Sequence, residues 1–243
     1  MQKLTKFFLV FFLIIFVWQA QAQDILVKMQ KADDLFQKKK YTEALDIYES
    51  IFKSGQKASP KMLLKMAFIY EGLNDYTKTL YYLNLYYHFS PDSEVLTQMD
   101  NIANQYRLKG YEHSDLDYAA TLYQRFFYLF ALAFLGLCSL TFVFILYRQL
   151  YKHPIPQRYR FAFVLTMAAL LVWIYLTDEN LAGIISQNNT YLMSAPSSGA
   201  EVVKVVEKGH KVRILAKEDV WYKIAWEKQT LYVKANHLLL IKI

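Results

Sequence analysis

Residue types that do chemistry are thinly spread along this 243-residue chain. His113, Ser114 and Asp115 stand in the order of a hydrolytic triad. Triad members act by converging from different elements, and three consecutive residues in a polar linker do not converge. The single cysteine, Cys138, sits mid-way along an apolar run with no histidine nearby. It offers neither a thiolate–imidazole pair nor an intramolecular disulfide and reads as a packing residue. The histidines at 88, 113, 153, 210 and 237 lack metal-ligand spacing, and the seven glycines form no phosphate-cradling loop. The expectation is a protein that is not an enzyme, with no cofactor and no metal.

What remains is charge. The stretch YRQLYKHPIPQRYR, residues 147–160, carries Arg148, Lys152, Arg158 and Arg160, no acidic residue, and three interleaved tyrosines. Such a pattern suits a phosphate backbone, but its neighbours point elsewhere. Residues 126–147 and 161–177 are uncharged runs of 22 and 17 residues. As helices rising about 1.5 Å per residue, the first is long enough to cross a hydrocarbon layer of roughly 30 Å and the second sits at the short limit. A buried core helix is the plainer alternative for each. Two spans joined by a basic turn form a hairpin whose turn stays in the cytoplasm, with Pro154 and Pro156 keeping the turn from becoming helix.

A turn held inside requires the preceding chain to lie outside, and the N-terminus agrees. Lys3 and Lys6 precede an apolar run at residues 7–18, and Ala20-Gln21-Ala22 completes a secretory leader pattern. The segment between leader and first span, with 13 basic and 14 acidic residues, is almost neutral, so no nucleic-acid partner is expected. Residues 186–243, with 9 basic and 5 acidic residues, carry a positive excess suited to anionic wall or lipid groups.

The N-terminal segment repeats at an offset of 35: Ala32 meets Ala67, Tyr41 meets Tyr76, and KKYTEALDIY meets NDYTKTLYYL. These residues resemble two tetratricopeptide repeats, with small residues in helix A, an aromatic opening helix B, Ala44 at the small position of helix B, and Pro91 ending the second repeat. Thr79 departs from the small alanine and Leu35 from the usual aromatic. The periodicity independently places Leu63, Ala67, Tyr70, Leu64 and Phe68 on a helical stripe. A third helix is expected from Ser93 as N-cap, with Leu96, Met99, Ile102 and Tyr106 on one face, as the cap of the array. The repeat resemblance implies a peptide-binding groove lined by Met29, Asp33 and Phe36 from one helix and Leu64, Phe68 and Glu71 from its counterpart; the same side chains also suit packing between repeats.

After residue 186 the period becomes alternating. GAEVVKVV, HKVRILA, VWYKIAW, TLYVKA and LLLIKI predict five short strands and a small barrel. WYKI at 221–224, the YLMSAPSSG opening and the LYVKANHL close resemble a bacterial SH3 domain. Leu192-Met193 and Leu231-Tyr232 depart from its common Val-Arg and Gly-Trp pairs. The resemblance implies recognition of cell-wall peptides or proline-rich segments through an aromatic surface, for which Trp221, Tyr222 and Tyr232 are the candidates. The same rings also suit the core of so small a barrel.

The expected fold class is a multidomain membrane protein: all-α helical repeats, a two-helix transmembrane hairpin and a small all-β SH3-like barrel. The expected organisation is a leader at 1–22, repeats at 23–110, a linker helix at 111–125, spans at 126–147 and 161–177 around a cytoplasmic loop at 148–160, a linker at 178–190, and the barrel at 191–243. By architecture the whole chain resembles the BatE-like membrane proteins of the Bacteroides aerotolerance (Bat) operons. That resemblance implies an inner-membrane scaffold with both soluble parts in the periplasm, and membrane-protein partners that include von Willebrand factor A domain and tetratricopeptide proteins of the same operon. It ties the chain to aerotolerance or envelope stress. The alternative is an envelope sensor whose SH3 domain binds peptidoglycan.

Overall fold

The computed structural model describes residues 25–55, 58–112, 115–151, 156–175, 181–227 and 229–241, the side chains of 115–125 excepted. The expected leader at 1–22, His113, Lys152 and His153 lie outside them. The chain divides into two compact units, Met1–Tyr86 and Tyr87–Ile243.

The first unit holds helices α1 (residues 25–37), α2 (Tyr41–Lys53), α3 (Pro60–Gly72) and most of α4 (Tyr76–Phe89). α3 starts where Ser59 accepts a hydrogen bond from the Met62 amide at 3.2 Å and Pro60 presets the first turn. The offset of 35 reappears in the backbone. Lys39 and Asn74 are both left-handed, with φ of 59° and 57°. The Lys39 and Lys40 amides donate to the carbonyls of Phe36 and Leu35, and the Asn74 and Asp75 amides donate to those of Glu71 and Tyr70. Each helix pair is thus joined by the same Schellman turn. Ala32, Ala44 and Ala67 are buried as the repeat pattern expects. Thr79 is buried too, its hydroxyl donating to the Asp75 carbonyl at 2.9 Å, so the departure from alanine leaves no orphan polar group.

The second unit contains α5 (Ser93–Gln105), α6 (Asp115–Leu150), α7 (Gln157–Tyr175) and a seven-stranded antiparallel sheet. The expected cap of α5 is displaced by one residue: Asp92, not Ser93, accepts from the Glu94 amide. The buried face is also rotated, being Val95, Met99 and Ala103 at i, i+4 and i+8, while Tyr106 is exposed. α5 ends in the same left-handed turn, at Arg107 (φ 54°), with Arg107 and Leu108 amides donating to Asn104 and Ala103. Residues 109 and 110 after this turn bend instead of opening another helix, with Gly110 left-handed at φ 89°.

α6 and α7 are antiparallel and apolar on every face, and 25 residues of the first and 19 of the second are long and apolar enough to cross a membrane. Among the described side chains of α6, Phe127, Ala131, Phe134, Cys138, Thr141, Ile145 and Arg148 are half-buried, alternating in steps of four and three. That spacing is the seam of a left-handed helix pair. Phe127, Phe130 and Phe134 surround Trp173, the Cys138 thiol approaches the Thr166 hydroxyl at 3.5 Å, and Phe144 meets Tyr159 at 5.0 Å. The helices extend into the segment expected as loop. Arg148 lies in the last turn of α6 and Arg158 and Arg160 in the first turns of α7, so the basic patch is carried largely by helix ends.

The sheet comprises β1 (Ala182–Ile185), β2 (Thr190–Met193), β3 (Val202–Val206), β4 (Lys211–Glu218), β5 (Trp221–Trp226), β6 (Gln229–Lys234) and β7 (Leu238–Ile241), in the order β3-β2-β6-β5-β4-β1-β7. Two strands exceed the expected five. β1 falls inside the segment 178–190 expected as linker and pairs with both β4 and β7. Its four residues, AGII, are too short and too uniformly apolar to show alternation. Ile185, Leu192, Val206, Val212, Ile224, Leu231 and Val233 close the core.

Candidate functional site

The turn between β3 and β4 carries the most specific polar geometry of the second unit. His210 sits edge-on to the buried Trp226 ring, with centroids 5.3 Å apart. Lys204 lies over Trp226 at 5.5 Å and pairs with Glu227 at 3.1 Å. Onto this surface runs the bent segment after α5. The Lys109 amide donates to His210 Nδ1 at 2.9 Å, and the Lys109 carbonyl accepts from the Lys211 amide at 3.0 Å. The Lys109 ammonium pairs with Glu227. Tyr111 is buried and its hydroxyl donates to the Gly209 carbonyl at 2.8 Å. Gly110 is left-handed (φ 89°), and a Cβ there would fall onto the Lys211 carbonyl. Only glycine fits at that step.

Burial, then the charges of Lys109 and Lys204, hold the His210 imidazole below its ordinary value, which preserves the Nδ1 lone pair that accepts from Lys109. His88, at the end of α4, is lowered to about 4 by burial and by Lys211. Burial raises the Tyr111 phenol, so it remains a donor.

Residues 188–239 match the bacterial SH3 domain. None of the curated proteins and none of the solved structures matches the chain. The bacterial SH3 domain is a module that binds proteins or peptidoglycan. Within the SH3 domain two of the three expected contact aromatics are buried and the third is partly exposed. Trp221 and Tyr222 are buried, the first beneath Lys234 at 5.6 Å and the second in the core, and Tyr232 is half-buried. The physical reason is size: a barrel of such short strands needs its largest rings inside. Exposed apolar residues cluster on the β2–β3 pair, where Tyr191 stands opposite Val205 and beside Val203, with Leu215 on β4 and Val220 in the turn after it also exposed.

In the first unit, three of the six expected groove residues converge. Asp33 accepts from the Tyr48 hydroxyl at 2.6 Å and pairs with Lys65 at 2.7 Å. Lys65 lies over the Phe36 ring, and Phe36, Tyr41 and Phe68 meet edge to face at 5.3 to 5.7 Å. Burial alone would raise the Asp33 carboxyl, but the hydrogen bonds from Lys65 and Tyr48 outweigh it and hold the group below the ordinary carboxylate value. Asp33 therefore cross-links helices and is already engaged. Phe68 and Leu64 are exposed, as is Glu71, and Met29 is half-buried. A second cluster lies on the other seam: Glu49 accepts from Tyr70 and Lys53, and Tyr70 stacks on Tyr82.

The contact residues of the β3–β4 turn and of the segment after α5 have no shared signature in the sequence. Lys109 and His210 are 101 positions apart, and no spacing rule links residues so distant. The one local signal is Gly110 followed by an aromatic at the end of the expected repeat segment. Among the described residues no group of three or more His, Cys, Asp or Glu is placed to hold a metal.

Proposed function

We propose that this chain is a membrane-anchored, non-enzymatic scaffold. In this reading α6 and α7 span the bacterial inner membrane with their basic junction in the cytoplasm. The helical repeats, read as tetratricopeptide-type, and the SH3 domain then share the periplasmic face as protein-interaction modules of a Bat-type complex. The observation that carries the reading is the contact of residues 109–111, before the hairpin, with residues 209–211 and Glu227, after it. Two segments on opposite sides of a bilayer do not touch, so the contact supports a hairpin that leaves both flanks on one face. The basic residues Arg148, Arg158 and Arg160 at the junction supply the sign of that orientation. Alkaline phosphatase fused after residue 241 and, in a second strain, inserted after residue 55 tests the topology. Both fusions are expected to be active, and one active with one silent would refute the shared face. For the scaffold role, in-cell crosslinking is expected to capture membrane proteins in a manner lost on removing residues 25–89; capture unchanged by that removal would count against it.

A second reading, an envelope sensor whose SH3 domain binds peptidoglycan, draws on the bacterial SH3 match and the positive excess of residues 186–243. The purified protein in detergent would then sediment with isolated cell walls, and failure to do so at low salt would remove it.

A further inference from the structure

We propose that Gly209, His210, Lys211 and Glu227 form a recognition site for a Lys-Gly-Tyr peptide segment bent at its glycine, and that the chain keeps this site filled with its own Lys109-Gly110-Tyr111. Each position of the segment is read by a different feature. The first meets an anion at Glu227 and two main-chain-directed bonds, from the Lys211 amide and to His210 Nδ1. The second must lack a Cβ, because the Lys211 carbonyl stands where it would lie. The third needs a buried ring bearing a hydroxyl, which donates to the Gly209 carbonyl while Lys211 lies 6.0 Å from the ring centre. The main-chain bonds at Lys109 hold the segment in place, and the side-chain demands at the other positions give specificity.

The occupant is joined to the site covalently. Intramolecular segments act at effective concentrations on the order of millimolar. An outside peptide of the same chemistry therefore competes poorly until the segment lets go, and the site behaves as closed in the resting chain.

His210 makes the closure conditional, since Nδ1 accepts from an amide only while it carries no proton. The charged groups around it are Lys109 on the segment, Lys204 on β3, Glu207 in the turn, Lys211 opening β4 and Glu227 after β5. Its folded-state value is depressed, so the bond is fully present above the ordinary imidazole value of about 6.5 and is lost as pH falls through the lower folded value.

The test uses the full chain in detergent micelles and a fluorescein-labelled hexapeptide, Arg-Leu-Lys-Gly-Tyr-Glu, copied from residues 107–112, read by anisotropy. Micelles make the outcome independent of membrane orientation, so a failure here is distinguishable from a failure of the topology. Gly110→Val expels the segment by clash, and Tyr111→Ala, which removes the anchor without adding bulk, is the second release variant. Both are expected to bind the peptide at least tenfold more tightly than the unaltered chain. Adding Glu227→Gln, or replacing the peptide's glycine by valine, should abolish that gain. Binding in both release variants that is absent, no tighter than in the unaltered chain, or indifferent to Glu227→Gln would overturn the proposal.

Discussion

Tyr111 concentrates several contributions in one side chain. It is buried to 3% exposure, it donates to a backbone carbonyl, and its ring borders Lys211. Tyr111→Phe keeps the ring and strands the Gly209 carbonyl, an omission worth about 1–3 kcal/mol. A fall in the thermal midpoint of the SH3 domain, followed by its tryptophan fluorescence, is the expected result. Acid acts differently on the two units. Asp33 and Glu49 both sit below their ordinary carboxylate values, Asp33 because hydrogen bonds from Lys65 and Tyr48 overcome burial, Glu49 through bonds from Lys53 and Tyr70. Their stabilisation is complete above the unfolded values near 4 and disappears as pH drops through the lower folded ones. Circular dichroism melts should therefore show the helical signal holding from pH 7 to about 5 and weakening below about 4. Replacing Asp33 by Asn should flatten part of that dependence, modestly, because the carboxylate is partly exposed.

At the scale of elements, the turn joining α1 to α2 is built on a lysine where its counterpart joining α3 to α4 uses an asparagine. A left-handed residue with a Cβ costs about 1–2 kcal/mol relative to glycine. Lys39→Gly should stabilise the helical unit by about 1 kcal/mol, visible as a higher denaturation midpoint; no change would mean the turn is not under that strain. The offset of 35 was legible because it lives in side-chain identities at helix starts, Tyr41 and Tyr76, and in small buried residues, Ala32 and Ala67. The matching backbone turns followed from it. The face of α5 was not legible: Leu96, Ile102 and Tyr106 compete with Val95 and Ala103 for burial, and hydrophobicity alone ranks the wrong set. β1 escaped notice because its partners, β4 and β7, come from 26 or more residues later in the chain. The rings of WYKI identified the strand correctly, yet their fate as core or contact depended on barrel diameter, which no short motif encodes. The α6 seam was hidden in a run so apolar that every position looked fit for burial; only the partner helix distinguishes Phe134 from Leu135.

For the molecule as a whole, three arginines near one junction are asked to set orientation. Arg148 lies on the helix seam while Arg158 and Arg160 open α7. Changing all three to glutamate removes the retained positive charge and should give a mixed population, read as a marked loss of phosphatase activity in the fusion after residue 241. A fully active fusion would mean that the N-terminal segment or the folded ends dominate instead.

The bond between residues 109–111 and 209–211 has a mechanical corollary. It ties the foot of α6 to the domain hanging from the foot of α7, closing a ring without any covalent cross-link. Tension applied between the helical unit and the C-terminus would load this clasp before it reached either helix, so the hairpin is shielded from pulling until the clasp opens. Once it opened, the load would pass to the helix pair itself.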